Sequence, residues 1–280
     1  MKFVSLLALL ACLLTVPGLA AADKVAPPAA ADWRTPDPQN VLVIDTSKGR
    51  IIVEMAPQAA PLTVARVRDL ARAGFYDGRA FFRVIDDFMD QTGDPQDNGQ
   101  GGSTQPNLPP EFTFKRGSDM PVVIVLKDAG LEAGFLGSLP IVSQSIDLAA
   151  FTADQKVKAF GAFCPGVAGM ARAEAEDSAN SQFFLMRGSA ASLAQKYTPW
   201  GRAIFGLDVI RAIKVGEPVA PPQDTMTKVR VLADIPLSER PTVRVIDPRS
   251  AWFKAEVDRV RKDKLVGVSI CDIPLLADVH

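Results

Sequence analysis

Along much of this chain apolar and polar positions alternate with a period of two, in short runs punctuated by Gly, Pro, Asn and Asp. That pattern predicts many short strands with one face buried. Residues 40–46 and 50–55 alternate around the turn Ser47-Lys48-Gly49, which predicts a hairpin with Gly49 where the backbone needs a positive φ. Further strands are predicted over 81–85, 88–92, 121–126, 139–146, 166–173, 182–187, 202–205, 226–233 and 242–246. Helical spacing takes over in a few places. Pro61 suits a first helical turn, and Val64, Val67, Leu70 and Ala71 share one face before Gly74 stops the helix. Residues 207–214 predict a second helix, 252–264 an amphipathic third, and 152–158 a short helical stretch. Residues 130–137, rich in glycine, and 196–201 read as loops, and 23–39 as an Ala- and Pro-rich linker. The sum predicts a mainly β protein built on a closed sheet.

Composition narrows the class. The chain has 280 residues, is 48% hydrophobic and 22% charged, and carries a formal charge of −1. It lacks the basic excess of a nucleic-acid-binding face, so no nucleic-acid partner is expected. Lys2, the apolar run from Phe3 to Val16 and the small residues 18–22 predict a secretory signal peptide over 1–22. Once it is cleaved, no stretch remains that is long and apolar enough to span a membrane. The expected localisation is periplasmic or secreted. Of three cysteines, Cys12 leaves with the signal; Cys164 and Cys271 form either one disulfide or two buried thiols. The single histidine is the last residue, His280. Ser-His-Asp and Cys-His chemistry therefore has no imidazole inside the fold. Zinc-type Cys and His spacings are also missing, so neither metal nor cofactor is expected.

The most informative stretch is 76–102, YDGRAFFRVIDDFMDQTGDPQDNGQGG. One arginine, Arg83, sits among Phe81, Phe82, Phe88 and Met89, which suggests a guanidinium at the rim of an apolar pocket. Asp86 and Asp87 read as turn formers, because adjacent carboxylates on a turn do not converge. The loop 99–102 lacks the Lys-Ser/Thr of a phosphate-binding loop.

These residues resemble a known family. Phe81-x-Arg83-Val84-Ile85-x-x-Phe88-Met89-x-Gln91-x-Gly93-Asp94 is similar to the signature of the cyclophilin-type peptidyl-prolyl isomerases, and Asn98-Gly99-x-Gly101-Gly102 follows at that family's spacing. Gly169-Met170-Ala171-Arg172-Ala173, Asn180-Ser181-Gln182-Phe183-Phe184 and Phe205-Gly206 resemble its later motifs, in order. The resemblance runs from about Val41 to Ala233 and implies a closed eight-stranded antiparallel β-barrel with a helix at each end. On that frame the isomerase domain covers 40–235, with an insert at about 105–165 and a C-terminal extension at 236–280. A disulfide between Cys164 and Cys271 would staple insert to extension.

By the same resemblance Arg83 is the catalytic arginine, and Gln91 helps hold it and the substrate backbone. Phe88, Met89, Phe184 and Leu193 form the proline pocket, while Gly99, Ala171, Arg172, Ala173 and Gln182 form the groove for the flanking peptide. The implied partners are proline-containing polypeptides, and the implied role is folding of exported proteins. The alternative is a non-catalytic peptide-binding or chaperone module on the same barrel. Isomerisation suits a chain without an internal histidine: the barrier is amide resonance, about 18–20 kcal/mol, and no proton or nucleophile is needed. Four positions depart from the family pattern, one of them the groove histidine, which is missing near Trp200 to Arg202. Phe82 stands for a histidine, Arg172 stands where asparagine is common, and no tryptophan lies near Ser192. The last predicts weak cyclosporin binding, and Arg172 predicts a preference for acidic flanking residues.

Overall fold

The computed structural model describes residues 25–264 and 267–280. The expected signal peptide, 1–22, lies outside the described residues. At the centre is an eight-stranded, wholly antiparallel, curled sheet. Its strand order is Met226–Val231, Val41–Thr46, Gly49–Met55, Pro199–Phe205, Val167–Met170, Phe183–Met186, Met89–Thr92 and Arg83–Ile85. Inside it pack Leu42, Ile51, Val53, Tyr76, Phe81, Phe183 and Trp200. The helix Pro61–Arg72 adds Val64, Val67 and Leu70, and Ile210 of the short helix Leu207–Ala212 joins the same core. Each such side chain contributes roughly 1.5–3 kcal/mol by leaving water.

The sheet is not the closed barrel that was expected. Its edge strands, Met226–Val231 and Arg83–Ile85, share no ladder. The gap is spanned by isolated bridges, Ala80 to Thr225 and Val84 to Gly216, and by Phe81 N–H donating to Asp224 O at 2.9 Å. Pro218, Pro221 and Pro222 lie in the segment facing that edge and offer no N–H, so a continuous ladder cannot form there.

The insert is a second sheet rather than a decorated loop. Its five antiparallel strands run Phe114–Arg116, Val157–Gly161, Leu139–Gln144, Leu131–Leu136 and Val122–Asp128. Residues 131–136, expected as loop, form one of them. Glycines mark the turns on either side, and Gly134 sits within the strand because a Cβ there would lie 2.1 Å from the Val123 carbonyl oxygen. No helix forms at 152–158: after the 3₁₀ turn Ile146–Phe151 the chain bends and enters the strand Val157–Gly161.

The segment read as a linker is also structured from Val25 onward. Trp33–Arg34 pairs with Val243–Ile246, which pairs in turn with Ala277–Val279. Arg34 grips the Glu54 carboxylate with two bonds of 2.7 Å, tying this small sheet to the central one. Short polar-flanked strands of two residues carry no periodicity, so only the partner strand reveals them. Cys164 and Cys271 are joined in a disulfide across 107 residues of sequence. By the chain-entropy account a loop of about that length is worth ~4–5 kcal/mol. A second core lies outside the barrel sheet: Phe135, Leu139 and Phe163 of the insert, Phe253 and Ile270 of the extension, and Met89 and Phe184 of the central sheet.

Candidate active site

Strand register builds the site. Arg83 pairs with Gln91, Gln91 with Phe184, and Phe184 with Gly169. Residues in register on neighbouring strands share a face, so these positions form one row across four strands. Alternation divides Phe183 from Phe184: Phe183 packs inside against Tyr76 and Trp200, while Phe184 lies on the outer face. Gly169 ends the row for a steric reason. A Cβ there would come within 2.6 Å of the Phe184 ring and 2.8 Å of Phe163, so only glycine lets the two rings stack at 5.9 Å.

Two adjoining cavities lie on this face. One, of about 160 Å³, is lined by Arg83, Phe88, Met89, Gln91, Ala171, Arg172, Phe184, Leu193 and Tyr197. The other, of about 190 Å³, is lined by Gln91, Gly99, Gln100, Gly101, Ala171, Arg172, Ala173, Ser178, Asn180 and Gln182. Gln91, Ala171 and Arg172 belong to both, so the two read as one groove with an apolar end and a polar end.

A chain of polar contacts runs along the groove. The Arg83 Nε–H donates to Glu217 Oε1 at 2.6 Å and its Nη1–H to Gln91 Oε1 at 3.2 Å. Gln91 Nε2 donates to Gln182 Oε1 at 2.9 Å, and Gln182 Nε2 to Gly101 O at 2.7 Å. Each amide spends its oxygen on one neighbour and its nitrogen on the next, so the chain has a single direction. Arg83 is held on two sides and stays about one-third exposed, with donors free to reach into the apolar end.

The polar wall is organised by Asp94. Its carboxylate accepts the N–H groups of Gln96, Asn98 and Gly99 at 2.8, 3.1 and 2.6 Å. Burial alone would raise this carboxyl, but those backbone donors and that of Gly101 outweigh it and hold it below its ordinary range. Phe82, which stands where the family has histidine, is buried with its ring under Gly99 and lines neither cavity. Arg172 lays its guanidinium 4.8 Å from the Tyr197 ring centre and donates to the carbonyls of Ala173, Glu174 and Lys196.

The inner face of the same strand does something different. Asp90, between Met89 and Gln91, is fully buried and accepts from Arg187 Nη1 at 3.1 Å. Arg187 also donates to the carbonyls of Ile210, Arg211 and Ile213 at the end of the short helix. Burial pushes the Asp90 carboxyl up to about 7, against the pull of Arg187.

All eleven residues proposed from sequence line one or other cavity: Arg83, Phe88, Met89, Gln91, Ala171, Arg172, Phe184 and Leu193 at the apolar end, and Gly99, Ala173 and Gln182 at the polar end. Phe81 and Phe82, grouped with Arg83 on sequence grounds, face elsewhere. Trp200 is buried in the barrel interior. Sequence reasoning missed Tyr197, which closes the apolar end edge-on to Phe184 at 5.9 Å, and Glu217, the partner of Arg83. Neither had a signal: Tyr197 stands in a stretch without periodicity, and Glu217 reaches Arg83 only because Gly216 bridges Val84. No group of His, Cys, Asp and Glu among the described residues is arranged to hold a metal ion, and no described helix is long and apolar enough to cross a membrane.

Residues 41–233 match the family described as cyclophilin type peptidyl-prolyl cis-trans isomerase/CLD. The chain is 30% identical over 191 residues to a probable peptidyl-prolyl cis-trans isomerase of Brucella suis, covering 64% of this chain and 74% of that protein. The similarity to the protein of that description in Brucella melitensis is the same. Among solved structures it is similar to cyclophilin AquaCyp293 from Hirschia baltica, with a TM-score of 0.81 and 31% identity over 88% of this chain and 93% of that one.

Proposed function

The chain belongs to the cyclophilin-type peptidyl-prolyl cis-trans isomerases, and on that premise we propose how its groove performs the isomerisation. The prolyl ring enters the apolar cavity between Phe88, Met89, Phe184 and Leu193. Backbone on one side of the proline lies along Ala171, Arg172 and Ala173, opposite Gly99 and Gln182. As the X-Pro amide twists, resonance is lost and the prolyl nitrogen gains a lone pair. A free Nη–H of Arg83 donates to that nitrogen and binds the twisted amide better than either planar isomer. Burial beside aromatic rings strengthens this hydrogen bond, because water no longer competes for the donor.

What carries this assignment is the posture of Arg83. Gln91 and Glu217 each take one of its donors, fixing the plane of the guanidinium while the remainder stays open toward the apolar cavity. A protease-coupled or NMR exchange assay on a short proline peptide tests it. Arg83→Ala should lose about 10²–10³-fold in kcat/KM, the usual cost of one transition-state donor. Retention of wild-type rate by that variant would overturn the assigned role.

The wider setting is part of the same proposal. The isomerase acts on exported proteins as they fold, in a periplasmic or secreted location set by residues 1–22. Arg172 favours acidic residues beside the proline, since it bonds carbonyls and aromatic rings and has no carboxylate within 4.0 Å among the described residues. Cyclosporin binds weakly, because Tyr197 rather than a tryptophan borders the apolar end. Low-nanomolar inhibition in a cyclosporin titration would overturn that last point.

A further inference from the structure

A further cavity lies next to the proline cavity and is made by parts of the chain outside the isomerase motifs. It measures about 440 Å³. It is lined by Leu126, Leu131, Val142 and Phe160 of the inserted sheet and by Ile270 and Cys271 of the extension. A single layer of side chains separates it from the proline cavity. Phe163 lines the large cavity and stacks on Phe184, which lines the small one. The turn Ala191–Leu193 is shared the same way: Leu193 faces the proline cavity, and Ala191 and the following Ala194 face the larger one. The Ala190 N–H donates to Phe163 O at 2.9 Å and fixes that partition.

The lining of this cavity is mainly apolar, with one exposed carboxylate, Asp128, beside Leu131. Leu131 is 49% exposed. Ser145 N–H donates to Gly130 O at 2.9 Å, so the turn Ile146–Phe151 starts beside the rim and carries Leu148, 42% exposed, and Phe151, 87% exposed. Exposed apolar side chains near a concave site are a feature of surfaces that meet another chain. The disulfide Cys164–Cys271 ties the end of the insert to the extension at the edge of this cavity.

We propose that this cavity is a second subsite for the polypeptide substrate, taking an aliphatic or aromatic side chain of the same chain whose proline occupies the small cavity. The occupant follows from continuity: the proline groove leads to the Ala191–Leu193 turn, and the far side of that turn is the larger cavity. Apolar side chains are accessible on unfolded chains and hidden on folded ones. The subsite therefore adds affinity for unfolded substrates and none for short proline peptides. It rests on the isomerase groove described above, but its binding is measured separately.

The test uses the full chain and a fluorescein-labelled, permanently unfolded polypeptide with one proline and several Leu and Phe residues, alongside its Pro→Ala version. Leu131→Glu and Ala194→Glu each place a carboxylate at a residue that lines this cavity and not the proline cavity. For both variants the dissociation constant for the polypeptide should rise about tenfold, the loss expected from one apolar side chain left in water. Turnover of a short proline peptide should stay within about twofold of wild type. The Pro→Ala polypeptide should still bind the wild type and lose that binding in both variants. Unchanged polypeptide binding in a variant that melts like wild type overturns the subsite. Absence of peptide turnover in the wild type would instead count against the isomerase groove and leave the binding comparison intact. If Leu131→Glu melts early, Ala194→Glu carries the test alone.

Discussion

The strand Met89–Thr92 has two faces, and they use polarity in opposite ways. On the outer face Gln91 joins the relay from Glu217 through Arg83 to Gln182 and Gly101, all of it partly open to water. On the inner face Asp90 meets Arg187 with both side chains nearly sealed from solvent. The outer groups give up little solvation and keep donors unspent, so they have something to offer a ligand. The inner groups are costly to bury: Arg187 is spent on Asp90, Asp86 and three helix-end carbonyls, while Asp90 Oδ2 and Arg187 Nε find no partner among the described residues. A charge on a strand is functional or structural according to which face it occupies, and the period of two assigns adjacent residues to opposite faces.

The comparison breaks first at Arg187. Arg187→Ala leaves Asp90 buried and protonated without its donor and frees three buried carbonyls, so unfolding should be easier by about 3–5 kcal/mol. Chemical denaturation measures it, and the folded fraction should keep its isomerase activity. Arg83→Ala should do the reverse: the loss of about 10²–10³ in kcat/KM comes with a melting temperature close to wild type. If Arg83→Ala unfolds the protein, or Arg187→Ala spares stability but removes activity, the division between faces is wrong.

Titration sharpens the contrast. The Asp90 carboxyl is raised from 3.8 to about 7 in the fold, so the folded state binds its proton more tightly than the unfolded one does. Its contribution to stability is fully present below about pH 4 and is lost as pH rises through about 7, with a slope of at most ~1.4 kcal/mol per pH unit. Denaturation across that range should show this slope in the wild type and not in Asp90→Asn. A wild type as flat as the variant would place no shifted proton on Asp90. The smallest effect is expected at Glu217, an exposed pair worth about 0.2–1 kcal/mol. Glu217→Gln should reduce kcat a few-fold and cost no more stability than that, because it loosens the guanidinium without removing it. No change in kcat would leave Gln91 as the residue that orients Arg83.

The hairpin and the two helices of the isomerase domain were legible because each rests on local rules, and the eleven groove residues because the chain resembles a family's motifs. Alternation sets the faces, Pro61 and Gly74 set the ends of a helix, and a contiguous motif carries Arg83, Phe88, Met89 and Gln91 together. The outer layer was not. Gly130 and Gly137 made a hairpin look like a loop, since glycine needed at two turns is indistinguishable in sequence from glycine in irregular chain. The strand Trp33–Arg34 shows itself only through its partner, Val243–Ile246.

By itself the sequence determined the chemistry: one arginine in an aromatic strand, no histidine inside the fold, and the motifs of an isomerase in order. Tertiary structure alone decided what surrounds that chemistry. It brought Glu217 to Arg83 across a bridge between Val84 and Gly216. It also joined Cys164 to Cys271 and set the insert and extension against the proline cavity. The physical reason is range. Periodicity, capping and turn chemistry act over a few residues and leave marks in the chain. Contacts between segments more than a hundred residues apart depend on how whole sheets pack, and no local pattern records them.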